Sequence, residues 1–202
     1  ILNPGPTLTY LSGLHFHLME RPVVLLFAKD QDPAIVLPEL ELQKVSSLPY
    51  KLQVFAYPEN PSEWDNAFRK AVQALGLDGK RIGVEPRQLR LLEFRHVKNG
   101  APEADFPDAS NVLSDLRLKK DKAEVDTMRH AVKIAQDALE ATLPFIKVGM
   151  TEKEVSSELV VQLLKHGSEP EMPFSPIVSG GPNPFQGSHT ALNSFPVIFL
   201  LS

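Results

Sequence analysis

Apolar and polar positions follow two different rhythms along this chain. Residues 23–28 are apolar without a break, as in a strand covered on both faces. The polar stretch 29–33 predicts a turn and residues 34–37 a second strand, so the two runs together predict a hairpin. Residues 52–56 predict a third strand. The period then lengthens: Trp64, Ala67, Phe68, Ala71, Val72 and Leu75 recur at helical spacing. Ser62 is placed to cap that helix, with Asp65 three residues on, and Gly76 sits where a left-handed terminal residue is wanted. Residues 81–84 predict another strand and 87–94 a short helix entered through Pro86. Strand and helix signals alternate, which predicts an α/β layer structure over residues 1–115.

A second part, residues 116–202, opens with the charged run Lys119-Lys120-Asp121-Lys122. Asp121 and Glu124 have capping-box spacing. Val125, Met128, Val132, Ala135, Leu139 and Leu143 then repeat in threes and fours, an apolar stripe along a helix of about six turns. The stripe predicts a helix laid on a sheet, with a coiled-coil seam as the alternative. Pro144 ends it. Thr151 and Glu154 form a second capping box, opening a helix whose expected buried face is Val155, Leu159, Val160, Leu163 and Leu164 and which Gly167 closes. Beyond it the chain turns extended and rich in Pro and Gly.

Composition narrows the function. With 202 residues and 43% hydrophobic content there is room for a real core in one large or two modest domains. A net charge of −4 argues against a broad basic surface for nucleic acid. The absence of cysteine excludes disulfides and thiolate metal sites and is compatible with a reducing, cytoplasmic setting. No apolar run approaches the ~20 residues a membrane helix needs. Residue 1 is Ile, and residues 190–202 carry no charge and finish on an apolar run, so both ends read as cuts.

Candidate chemistry gathers late in the chain. Phe174-Ser175-Pro176-Ile177-Val178 reads as a strand leading to the turn Gly180-Gly181, with His189 following on a loop. Histidine there suits proton transfer or a hydrogen bond to a developing anion. His15 and His17, two apart, would share one face of a strand, although no carboxylate accompanies them. His96, His130 and His166 read as surface residues, and Glu169 and Glu171 as a solvated loop. No phosphate-binding glycine motif occurs.

The ordered series Asn3-Pro4-Gly5, Tyr10-Leu11-Ser12-Gly13, Leu116-Arg117-Leu118-Lys119-Lys120, Gly149-Met150-Thr151-Glu152 and Phe174-Ser175-Pro176-Ile177-Val178 to His189 resembles the Xaa-Pro peptidases, the group of aminopeptidase P, prolidase and creatinase. The resemblance implies an α/β creatinase-like N-terminal domain (residues 1–115) followed by the first part of an α+β pita-bread peptidase domain (residues 116–202). It implies metal-dependent hydrolysis of an Xaa-Pro bond, a peptide substrate with proline at its second position, and a homodimer. It places His189 in the substrate pocket, as a catalytic and substrate-binding residue. It also implies two divalent ions (Mn, Co or Zn) held by two aspartates, a histidine and two glutamates, all beyond the position of His189. No Asp, Glu or His follows His189, so none of the metal ligands is expected in this chain, which on its own is expected to be inactive. Ser188 stands where the family usually has proline, and the loop 184–187 looks longer than usual. A non-catalytic peptide- or protein-binding module of the same fold and a creatinase-like amidinohydrolase are the alternatives.

Overall fold

The computed structural model describes residues 1–172 and 174–179, and the backbone of residues 198–200. The chain divides into two compact units, Ile1–Lys119 and Lys120–Ser202.

The first unit is built on a sheet. Strands β1 (Val24–Leu26) and β2 (Ala34–Pro38) form the expected antiparallel hairpin, with Val24 opposite Val36 and Leu26 opposite Ala34. β3 (Gln53–Tyr57) joins β2 in parallel, giving the order β1-β2-β3. On the other side of β1, Leu2 exchanges backbone hydrogen bonds with Leu25 at 2.9 and 2.8 Å.

The unbroken apolar runs have a simple cause: successive side chains go to opposite faces, and both faces are covered. Val24, Leu26, Ala34 and Val36 face one core with Tyr57, Phe68, Ala71, Val72 and Val97. Leu25, Ile35 and Leu37 face a second core with Leu2, Leu8, Leu14, Val23 and Val45. Each fully buried side chain of this size contributes about 1.5–3 kcal/mol. The second core is roofed by α1 (Pro6–Ser12), which contributes the buried Leu8.

Helix α2 (Trp64–Ala74) packs its predicted face inward, with Ala67, Phe68, Ala71 and Val72 buried. Its cap is not Ser62. Asn60 accepts the Ser62 N–H at 3.2 Å, and Pro61–Glu63 forms a short 3₁₀ turn into the helix. The other end follows expectation. Gly76 has φ 58°, the Gly76 N–H bonds Gln73 O, and the Leu77 N–H bonds Val72 O.

Two further expectations are corrected. Residues 81–84 form no strand of their own and make only isolated parallel bridges, Arg81 to Asp105 and Val84 to Asp108. Residues 87–94 are not one helix. The Gln88 and Leu89 N–H groups both turn back to Glu85 O, Arg90 is extended, and α3 runs over Leu91–Gly100. Gly100 lets α3 approach α2: a Cβ there would sit 3.4 Å from the Arg69 Cα. Helix α4 (Ser110–Leu118) ends the unit.

In the second unit, α5 (Lys122–Thr142) and α6 (Glu152–Lys165) both carry complete capping boxes, Asp121 with Glu124 and Thr151 with Glu154. Pro144 lies in a 3₁₀ turn that ends α5, as its missing N–H requires. The helices pack through Ala138, Leu159 and Leu163. The buried face of α5 is therefore not the predicted stripe. Ala138 and Thr142 are buried, whereas Met128, Val132 and Leu143 are 53, 55 and 52% exposed. Nor does α5 lie on a sheet among the described residues; its neighbour is α6. On α6, Val155, Leu159 and Leu163 are buried as expected and Leu164 is exposed. β4 (Ile177–Ser179) pairs antiparallel with β5 (Ile198–Leu200), Val178 opposite Phe199.

Candidate functional site

The approach to the candidate histidine is anchored in the second unit. Val178 of β4 is buried against Val155 of α6, with Ile146 and Met150 packed around them. The Ser156 hydroxyl donates to Pro176 O at 3.2 Å, tying the strand's entrance to the helix. The Thr151–Glu154 box fixes where α6 begins: the Glu154 N–H donates to Thr151 Oγ1 and the Thr151 N–H returns to Glu154 Oε2 at 2.7 Å. The Thr151 N–H, and with it the Thr151 hydroxyl at 2.9 Å, donates to Glu154 Oε2 and holds that carboxyl below the usual carboxylate range. The turn Gly180-Gly181, the loop 184–187, Ser188 and His189 lie outside the described residues.

The other histidines are located. His15 and His17 are exposed and lie in the segment after α1, which is not a strand, so the shared-face argument does not apply. That segment is tied down through its backbone. The Lys44 ammonium donates to His15 O at 3.4 Å, Arg90 Nη1 to Met19 O at 2.5 Å, and the Tyr57 hydroxyl to Pro22 O at 2.6 Å. Burial pushes the Tyr57 phenol well above its ordinary value, so it stays a donor. Arg21 forks onto Glu59 at 3.0 and 2.8 Å. His130, His166, Glu169 and Glu171 are exposed, as expected.

His96 is the correction. Its side chain is only 14% exposed, because the ring stacks on Phe68 at 4.8 Å and meets the edge of Trp64. Its Nδ1 lies 2.6 Å from Asp65 Oδ1, which also receives Asn99. The hydrogen bond from His96 holds the Asp65 carboxyl below the ordinary carboxylate range. No nucleophile is hydrogen-bonded to the pair, and the enclosed Nε2 has no partner among the described residues. The pair joins α2 to α3 and is structural. Sequence spacing hid it, since 31 residues separate the partners.

A second buried charge escaped the sequence reading. Glu93 on α3 is fully buried, and Arg90 Nε donates to both its carboxylate oxygens at 3.1 Å. The same guanidinium holds Met19 O, so one side chain both neutralises a core carboxylate and pins the segment bearing His15 and His17.

Among the described residues no three His, Asp or Glu side chains are grouped closely enough to hold an ion. The described donors therefore do not fit the metal centre the resemblance implies.

The described chain is a two-faced α/β domain followed by a helical unit whose helices pack on a short strand. Residues 1–119 match the Creatinase/Prolidase N-terminal domain and residues 126–186 the metallopeptidase family M24. The chain belongs to the creatinase/prolidase family of Xaa-Pro peptidases, with a creatinase-type N-terminal domain and part of an M24 domain. It is similar to an Xaa-Pro dipeptidase of Lactobacillus helveticus, 25% identical over 178 residues, which are 88% of this chain and 48% of that protein. The dipeptidase structure from Pyrococcus horikoshii OT3 superposes with a TM-score of 0.78 at 26% identity, over 97% of this chain and 54% of that one. The prolidase structure from Thermococcus sibiricus gives 0.80 at 20% identity over 95% and 52%, a likeness of fold alone. The chain spans about half the length of the curated relatives it matches. Among the described residues no helix is long and apolar enough to cross a membrane.

Proposed function

We propose that this chain serves an Xaa-Pro dipeptidase or aminopeptidase, hydrolysing the bond between a first residue and a proline at the second position. On this reading the peptidase domain is of the pita-bread type, acts as a cytoplasmic homodimer, and takes two divalent ions, Mn, Co or Zn, at ligands this chain does not contain. His189 contacts the substrate or the developing anion. The 202-residue chain alone is inactive. The observation that supports the reading is the succession of two family matches, 1–119 and 126–186, in one chain.

A chimera tests it. Residues 1–192 of this chain replace the matching half of the Lactobacillus Xaa-Pro dipeptidase. Proline release from Xaa-Pro dipeptides, dependent on added divalent metal, is expected, and His189→Ala should lower kcat/KM by about 100-fold. A folded chimera that releases no proline overturns the reading.

A further inference from the structure

A cavity of about 260 Å³ opens beside the β1–β2 turn and lies wholly within the first unit. Its floor is apolar: Leu25 of β1 is buried, and Leu11 of α1 packs against the same core. Phe27 and Tyr50 wall it and are 45 and 37% exposed. Asp32 and Lys51, both exposed, stand on its rim.

The rim is fixed by hydrogen bonds to the backbone. The Tyr50 hydroxyl donates to Ser12 O at 2.7 Å. The Gln53 side chain donates to Asp32 O at 3.0 Å, and the Gln53 N–H to Pro33 O at 2.8 Å. Asp32 and Lys51 are thus presented from chain that is already ordered, so a ligand does not have to assemble the site. Both side chains have spare capacity. Among the described residues neither the Asp32 carboxylate nor the Lys51 ammonium has a hydrogen-bond or ion-pair partner, and they do not reach each other. An anion and a cation on one rim, over an apolar floor, complement a molecule with an ammonium, a carboxylate and an apolar body. A ligand carrying one charge alone would meet a like charge at the same rim. Sites for drug-sized molecules run to about 300–1,000 Å³, so this smaller cavity suits a single amino acid.

We propose that this cavity binds a free α-amino acid with an apolar side chain, its ammonium on Asp32, its carboxylate on Lys51 and its side chain over Leu11 and Leu25. The site does not rest on the peptidase reading. Its readout is binding without turnover, so its failure and the failure of proline release are separate results.

Titration of the ¹⁵N-labelled 202-residue chain with L-leucine, followed through amide chemical shifts, tests it. Saturable shifts centred on Ser12, Phe27, Asp32 and Lys51 are expected, with a Kd of about 1 mM. N-acetyl-leucine lacks the ammonium and leucinamide the carboxylate, and each should bind at least about 10-fold more weakly. Glycine, with no side chain for the floor, should lose about as much. Asp32→Asn should weaken leucine about 10-fold and leave N-acetyl-leucine unchanged, while Lys51→Met should weaken leucine and leave leucinamide unchanged. No saturable shift up to about 50 mM leucine overturns the proposal. So does binding indifferent to both substitutions, which must then lie elsewhere. Tighter binding of the dipeptide Leu-Pro than of leucine overturns the assignment to a free amino acid. If either variant fails to fold, the blocked ligands decide alone: N-acetyl-leucine or leucinamide binding as well as leucine overturns the charge pairing.

Discussion

Removing Arg90 should damage the first unit far more than removing Arg90 and Glu93 together. Glu93 is fully buried and its carboxylate receives Arg90 through two nitrogens. Arg90→Ala leaves that carboxylate sealed from water without its cation, and also frees Met19 O. A lone charge stranded in this way costs about 3–5 kcal/mol, a large part of the 5–15 kcal/mol that stabilises a typical domain. Replacing both, as Arg90→Met with Glu93→Leu, removes the charge problem and keeps the volume, so the loss should stay within about 1 kcal/mol. Trp64 is the single tryptophan and packs against the core of this unit, so its fluorescence follows this unit through urea unfolding. With a slope of about 2 kcal/mol/M, Arg90→Ala should lower the midpoint by about 2 M. A shift below about 0.5 M, or a double variant as unstable as the single one, would refute the reasoning: the ion pair would then be worth little, or shape rather than charge would decide.

The remaining expectations concern acid, packing and surface. The Asp65 carboxyl is held low by His96, so its contribution to stability is present above the unfolded value near ~3.9 and is lost as pH falls through the lower folded value. Asp65→Asn should therefore lose less stability than the parent between neutral pH and acid unfolding; equal losses by Trp64 fluorescence would contradict this. The effect should be below about 1 kcal/mol, because the Asp65 side chain is 44% exposed. Leu159→Ala, at a fully buried contact with Ala138, should cost about 3 kcal/mol and speed amide exchange along α6, whereas Val132→Ala should stay within about 0.5 kcal/mol. Changing Met128, Val132 and Leu143 to Lys should reduce binding of an apolar dye such as ANS without lowering thermal stability; unaltered dye binding would mean the α5 stripe is covered.

Local signals in the sequence translated well. Both capping boxes, the left-handed Gly76, the β1–β2 hairpin and the inward face of α2 depend on neighbours within a few residues or on strand alternation, and each is where spacing puts it. Signals that need a distant partner did not. The bridges of Arg81 and Val84 run to Asp105 and Asp108, which no local pattern specifies. The start of α3 was displaced because Glu85 O captures the N–H groups of Gln88 and Leu89 and leaves Arg90 extended. The stripe on α5 has the right period, but period does not say which neighbour covers it; Ala138 and Thr142 meet α6 instead. His96 was misread for a related reason, since its burial comes from Phe68, Trp64 and Asp65 on another helix. The family was legible from ordered motifs across the chain, and His189 lies beyond the residues the structure describes.

On the proposed reading the chain carries the framework of an Xaa-Pro peptidase, and the ligands of the metal centre lie outside it. Metal content after dialysis against Mn²⁺, Co²⁺ or Zn²⁺, read by plasma mass spectrometry beside a proline-release assay, tests it most directly. Far less than one ion per chain and no proline from Xaa-Pro dipeptides are expected. Two tightly held ions per chain, with proline released, would contradict it.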